Sequence, residues 1–254
     1  MAKETKKAKK VEKSDEIVLN LDSFMVPLAI VLAGVIIAGA IFFTNKGSGT
    51  SDLSNPGNDG AAAPTQEEFP EASTTIADAP YLGDKKKAKL AIVEYNDYQC
   101  SYCQRHDKET KDQLIKDYVD TGKAIYVFRE FPLDFHGQLA IDSANAALCV
   151  NDIAGVDKFV EYHSKIFLIT SKDTLTTVAQ DMGINMDKFN TCLAEEKFQA
   201  NVDKGLADGT AAGVQGTPGF VVGVLDKDGN VTGKLVAGAY PYDSFAKILD
   251  EYLK

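Results

Sequence analysis

Cys100 and Cys103 stand two residues apart in YQCSYC, and a C-x-x-C pair is open to three chemistries. It can exchange disulfides, supply half of a zinc site, or close a structural bond. Position favours the first. The pair follows an apolar run and opens a segment of helical period, so Cys100 is expected at a helix N-terminus. There the unpaired N–H groups and the helix dipole stabilise a thiolate and lower its pKa. Cys103, one turn further in, is placed to resolve a mixed disulfide by attacking Cys100. Glu94 lies six residues before Cys100, where the alternation of a strand can turn it inward. A buried carboxylic acid has a raised pKa and can exchange a proton with Cys103. Far downstream, Gly216-Thr217-Pro218 precedes another apolar run, and proline is tolerated at the first residue of a strand.

The elements that must hold these residues are legible in outline. Residues 89–95 (KLAIVEY) predict a strand, and 123–131 (KAIYVFREF) a second one that stops at Pro132. Between them a helix is expected, with Leu114, Ile115, Tyr118 and Val119 on one side. Helical stripes follow: Leu139, Ala140, Ala144, Ala147 and Leu148, then Val156, Phe159, Val160, His163, Ile166 and Phe167. A third holds Met186, Phe189, Cys192 and Leu193, and a fourth Phe198, Val202 and Leu206. Residues 219–225 and 231–237 read as a hairpin turned by 226–230. A closing helix over 242–253 turns Phe245, Ile248, Leu249 and Leu253 inward. This order gives an α/β fold over 87–254 with a helical insertion at about 136–210.

The chain ahead of that domain has a different character. Residues 24–43 (FMVPLAIVLAGVIIAGAIFF) hold no charged side chain, and as a helix they span about 30 Å, the thickness of a bilayer's hydrocarbon core. The run outlasts the apolar stretch of a signal peptide, so one uncleaved N-terminal transmembrane helix is expected. Six lysines precede it within 1–23 and only Lys46 follows closely, which keeps the tail in the cytoplasm and exports the rest. Residues 44–86 are rich in Gly, Ser, Asn, Asp and Pro and read as a flexible linker with a typical reach of about 35 Å. The expected location is therefore the cell membrane, with a single pass and an extracytoplasmic domain. The net charge of −10 argues against nucleic acid as a partner.

A strand with an acid six residues before C-x-x-C, a helical insertion, then Thr-Pro before a hairpin and a final helix resembles the thioredoxin superfamily. Within it the chain resembles membrane-anchored DsbA-like thiol oxidoreductases. The supporting segments are YQCSYC at 98–103, FREFPL at 128–133 with His136, residues 144–149, and GTPGF at 216–220. The resemblance implies a thioredoxin fold in which Cys100 attacks substrate, Cys103 resolves, and a cis Thr217–Pro218 bond lies beside them. Thr217, Pro218, Ser101 and Tyr102 would contact substrate, an extended segment that adds as a strand. The implied substrates are exported proteins with reduced cysteines. A quinone-linked membrane partner of DsbB or VKOR type would reoxidise the pair. No cofactor or metal is implied, the redox-active disulfide being the reactive group. Gln99 stands where thioredoxins carry Trp, and the Ser101-Tyr102 dipeptide leaves oxidase, reductase and isomerase all open. A tethered binding module with an inert Cys100–Cys103 bond is the reading from another class.

The remaining candidates have plainer roles. Cys149 and Cys192 fall on apolar helical stripes, as buried free thiols or as a structural disulfide; export and the even cysteine count favour the disulfide. Their wide spacing argues against a four-Cys zinc site with Cys100 and Cys103. His106 is expected to be exposed on its helix. His136 is expected to cap or orient the entry to the insertion, His163 to be a satisfied core histidine, and Arg129 to pair with an acid.

Overall fold

The computed structural model describes residues 68–254. The expected basic tail (1–23) and transmembrane helix (24–43) lie outside the described residues, as does the first part of the linker. Among the described residues no helix is long and apolar enough to cross a membrane.

Six strands form one sheet in the order β1-β6-β5-β3-β4-β2. They are β1 (Glu71–Thr75), β2 (Tyr81–Leu82), β3 (Leu90–Asn96), β4 (Ala124–Glu130), β5 (Gly219–Leu225) and β6 (Asn230–Ala237). β3 and β4 pair in parallel and every other neighbour is antiparallel. The two central parallel strands are buried along their whole length, which is why their sequences read as near-continuous apolar runs. β1 and β2 correct the expected linker, whose last residues belong to the sheet. Glu71 to Thr75 is polar and half exposed, so it carries no strand pattern of its own. It forms a strand because β6 offers it an open edge, pairing Glu71 with Lys234 and Thr75 with Asn230.

Helix α1 covers residues 101–119, alternating α segments (Ser101–His106, Asp112–Leu114) with π segments (Asp107–Lys111, Ile115–Val119). Between β4 and β5 come α2 (Gln138–Ala154), α3 (Val156–Lys165), α4 (Lys172–Asp181), α5 (Met186–Ala194) and α6 (Gln199–Ala211), the expected insertion. α7 (Tyr242–Tyr252) closes the fold with Phe245, Ile248 and Leu249 buried, while Leu253, expected inward, lies exposed past its end.

Strand alternation divides the core. Leu90, Ile92, Tyr126, Phe128 and Phe220 face the larger cluster, which takes in α1, the insertion and α7. Ala91, Val93, Tyr95, Val127 and Val221 face a smaller one with Leu206 and Ala212. α6 lies against the end of β4 through a glycine. A Cβ on Gly205 would stand 2.2 Å from the carbonyl oxygen of Glu130, so no larger residue allows this approach. The even-numbered face of β3 and β4 thus carries Glu94, Asn96, Tyr126 and Glu130 into the same layer as the Cys pair.

Candidate active site

β3 ends at Asn96, and the turn that follows delivers Cys100 as the N-cap of α1, with extended backbone and no side-chain cap. The buried Asp97 carboxylate shapes that turn. Its Oδ1 accepts the Gln99 N–H at 2.8 Å, and its Oδ2 accepts the Leu133 N–H at 2.7 Å. His136 Nδ1 lies 2.7 Å from the same oxygen, so this histidine does orient the entry to the insertion. The insertion also holds the turn directly, since Leu168 N–H donates to the Tyr98 carbonyl at 2.8 Å.

Cys100 and Cys103 are unbonded to each other. Cys103 is fully buried, and Cys100 keeps a sliver of exposure. As a thiol, Cys100 Sγ donates to the carbonyl oxygen of Thr217 at 3.2 Å, and the Thr217–Pro218 bond is cis. The Cys103 side chain hydrogen-bonds the Cys100 sulfur and is the main reason its pKa falls to about 5. Burial opposes the fall. The Thr217 side chain and the backbone N–H groups of Cys103 and Tyr102 reinforce it. The Thr217 hydroxyl is buried with no hydrogen-bond partner, and so is free to turn to the sulfur once Cys100 ionises. Burial instead pushes the Cys103 thiol well up, and the hydrogen bond and charge of Cys100 add to that. The two sulfurs thus hold opposite protonation states at neutral pH, as an attacking and a resolving thiol require.

Glu94 is fully buried, and burial raises its carboxyl to about 7 against a hydrogen bond from Tyr126. Tyr126 Oη donates to Glu94 Oε2 at 2.8 Å. On its other side the same hydroxyl meets His106 Nε2 at 2.9 Å. His106 is therefore not the exposed residue expected from sequence. It is buried between the rings of Phe220 (4.5 Å between centroids) and Phe245 (5.4 Å), and burial lowers its pKa to about 3. The π turn that begins at Asp107 breaks the ideal helical period just beyond it. Tyr126 escaped the sequence reading, although strand alternation from Phe128 places it on the inner face.

A second buried network lies beside the first. Tyr98 Oη donates to Glu130 Oε1 at 3.2 Å and meets His163 Nδ1 at 3.0 Å, so His163 is a core histidine with a partner. Lys111 and Asp107 form a buried ion pair, and both reach Ser164 on α3 at 2.9 Å. Arg129 pairs with Asp208.

Around the nucleophile, Ser101 and Tyr102 are exposed, Tyr102 to 57%, and the Arg105 guanidinium lies 4.9 Å from the Tyr102 ring centre. Cys149 and Cys192 are joined, tying α2 to α5 across a Cα separation of 6.0 Å. That bond removes them from any zinc site. Among the described residues no group of three or more His, Cys, Asp or Glu could hold a metal ion.

An ionised sulfur at a helix start, next to a buried protonated one, is chemistry for passing electron pairs between thiols and disulfides, and the molecule is a thiol–disulfide oxidoreductase. The thioredoxin family pattern matches residues 76–251, and the chain belongs to that family. A Rickettsia felis protein described as a protein-disulfide oxidoreductase is 26% identical over 241 residues, covering 85% of this chain and 75% of that one. Among solved structures, oxidised BdbD from Bacillus subtilis superposes with a TM-score of 0.61 at 22% identity, over 73% of this chain and 98% of its own. Wolbachia pipientis alpha-DsbA1 does so with 0.58 at 20% identity, over 69% and 91%. The fold is thus the DsbA-like variant, in which helices are inserted between β4 and β5.

Proposed function

We propose that the enzyme is an oxidase that places disulfides in exported proteins. The observation that carries this reading is the stabilised Cys100 thiolate. Whatever stabilises the reduced pair makes the disulfide a stronger oxidant, because exchange favours the sulfur that leaves as the weaker base. A substrate thiolate attacks Cys100 Sγ in the Cys100–Cys103 disulfide. The substrate–Cys100 bond forms, the Cys100–Cys103 bond breaks, and Cys103 leaves as a thiolate that takes a proton from Glu94. A second substrate thiolate then attacks the substrate sulfur of the mixed disulfide, closing the substrate's own bond and releasing Cys100 as a thiolate. Two electrons have passed from substrate to enzyme. In reoxidation the direction reverses and Glu94 takes up the Cys103 proton; its oxygen Oε1 is buried with no hydrogen-bond partner, and the two groups interact through space.

Substrate contact falls to Thr217 and Pro218, with Ser101 and Tyr102 on the rim. The charge-free run at 24–43 with its lysine-rich head supports a membrane-anchored enzyme whose domain works outside the cytoplasm. There disulfides persist, and a quinone-linked membrane partner of DsbB or VKOR type would accept the electrons. The test is the reduction potential together with trapping. The expected potential lies well above thioredoxin's, about −270 mV, and a value at that level would overturn the oxidase reading. Cys103→Ser should accumulate mixed disulfides between Cys100 and exported proteins. A clean gel would mean a binding module with an inert bond.

A further inference from the structure

We propose that Tyr126 and His106 are positioning residues for Glu94, a hydrogen-bond chain that points one proton at its carboxyl and so keeps Glu94 able to accept the proton of Cys103. The inference rests on the reading of Glu94 as the proton partner of Cys103, and it adds what sets that partner's readiness.

The geometry is a line of three groups. Glu94 Oε2, Tyr126 Oη and His106 Nε2 are spaced 2.8 and 2.9 Å apart, and all three side chains are buried. Tyr126 has a single hydroxyl hydrogen, which can go to Glu94 or to His106 but not to both. The imidazole decides. Its Nδ1 lies buried with no hydrogen-bond partner, against the rings of Phe220 and Phe245. An orphaned N–H there costs more than an orphaned lone pair, so the proton of the neutral ring belongs on Nε2. From Nε2 it is donated to the Tyr126 oxygen, which turns the tyrosine hydrogen toward Glu94. That arrangement favours the carboxylate over the acid.

Other groups act on Glu94 without bonding to it. Lys111 and Asp107, paired on α1, push its ionisation in opposite directions. The Cys103 thiol on the same helix interacts with it through space, as do Glu130 on β4 and Tyr98 before α1. His163 on α3 is held neutral by burial, and β5 and α7 present the rings of Phe220 and Phe245. Among the described residues Tyr126 is the sole hydrogen-bond donor to the Glu94 carboxyl.

The experiment follows the Glu94 carboxyl by infrared titration of the whole reduced protein. Beside it runs the pH dependence of the step in which Cys103 attacks Cys100 in a mixed disulfide with a small thiol, closing the Cys100–Cys103 bond and releasing that small thiol as a thiolate. In the wild type both midpoints should coincide. Tyr126→Phe, which keeps the ring, should move both upward by about one pH unit, the loss of one hydrogen bond to a charged group. His106→Phe should move them upward by less, and His106→Gln, whose amide can donate, should restore them. Unmoved midpoints in Tyr126→Phe and His106→Phe, with the near-UV signal of the fold retained, would overturn the proposal. Glu94→Gln separates the two ideas. If it leaves the kinetic profile unchanged, the proton role of Glu94 fails, while the infrared midpoints still decide whether Tyr126 and His106 govern its ionisation.

Discussion

The Cys100 sulfur and the Thr217 carbonyl oxygen lie 3.2 Å apart, although 117 positions separate them in the chain. Antiparallel pairing of β3 with β5 brings them together, because Tyr95 sits opposite Gly219 and both segments leave the sheet at the same end. The Cys100 sulfur and the Thr217–Pro218 segment therefore lie side by side at that end of the sheet. A substrate sulfur that bonds to Cys100 arrives beside the polar backbone groups next to Pro218.

That closeness makes the Thr217 side chain a regulator of the thiolate. Ultraviolet titration of thiolate absorbance should show Cys100 ionising near pH 5. Thr217→Val removes the hydroxyl while keeping the shape, and should raise that midpoint by about one unit, lowering the reduction potential by roughly 30 mV. An unchanged midpoint would assign the low pKa wholly to Cys103 and the helix N-terminus.

Asp97 controls the turn that carries Cys100. Its replacement by Ala leaves the N–H groups of Gln99 and Leu133 and the His136 ring without their acceptor. Urea unfolding should show a loss of ~2–4 kcal/mol, from unpaired buried donors. Thiolate reactivity should fall as well, since the same turn places the helix start. Retained stability would mean that solvent replaces the carboxylate without cost.

The Cys149–Cys192 bond is remote from this chemistry and should be separable from it. It closes a segment with a sequence separation of 43, for which chain entropy gives about 4 kcal/mol of stabilisation. The double Ala variant should melt at a clearly lower temperature yet retain the Cys100 titration. A shifted Cys100 midpoint would show that the insertion feeds back on the nucleophile.

Glu94 gives stability a pH dependence with a definite sign. Its folded pKa, about 7, exceeds the ordinary carboxylate value, so between about 4.5 and 7 the folded chain holds a proton that the unfolded chain has lost. Stability from this group is complete below about pH 4.5 and is lost as pH rises through 7. Glu94→Gln should therefore stabilise the protein at pH 8 by ~3 kcal/mol and change little at pH 4.5. Denaturant midpoints at the two pH values decide it. Equal gains at both would place the cost in packing rather than in charge.

The sequence by itself determined what lies within one element or across one junction. Cys100, Cys103 and Glu94 were legible because a buried strand running into a helix has a local signature of apolar residues and spacing. The hairpin after Pro218 and the apolar stripes of the insertion were legible for the same reason. Tertiary structure alone decided partnership. Tyr126 meets Glu94 because β3 and β4 pair in parallel with Ile92 opposite Tyr126, a register that no local pattern specifies. His106 looked like a surface residue on an ideal helix. Packing from β5 and α7, beside a π turn, buries it against Phe220 and Phe245. β1 was hidden because its residues are polar and its strand exists only through the open edge of β6. Periodicity reports which face of an element avoids water, while hydrogen-bond partners depend on how separate elements are set against one another.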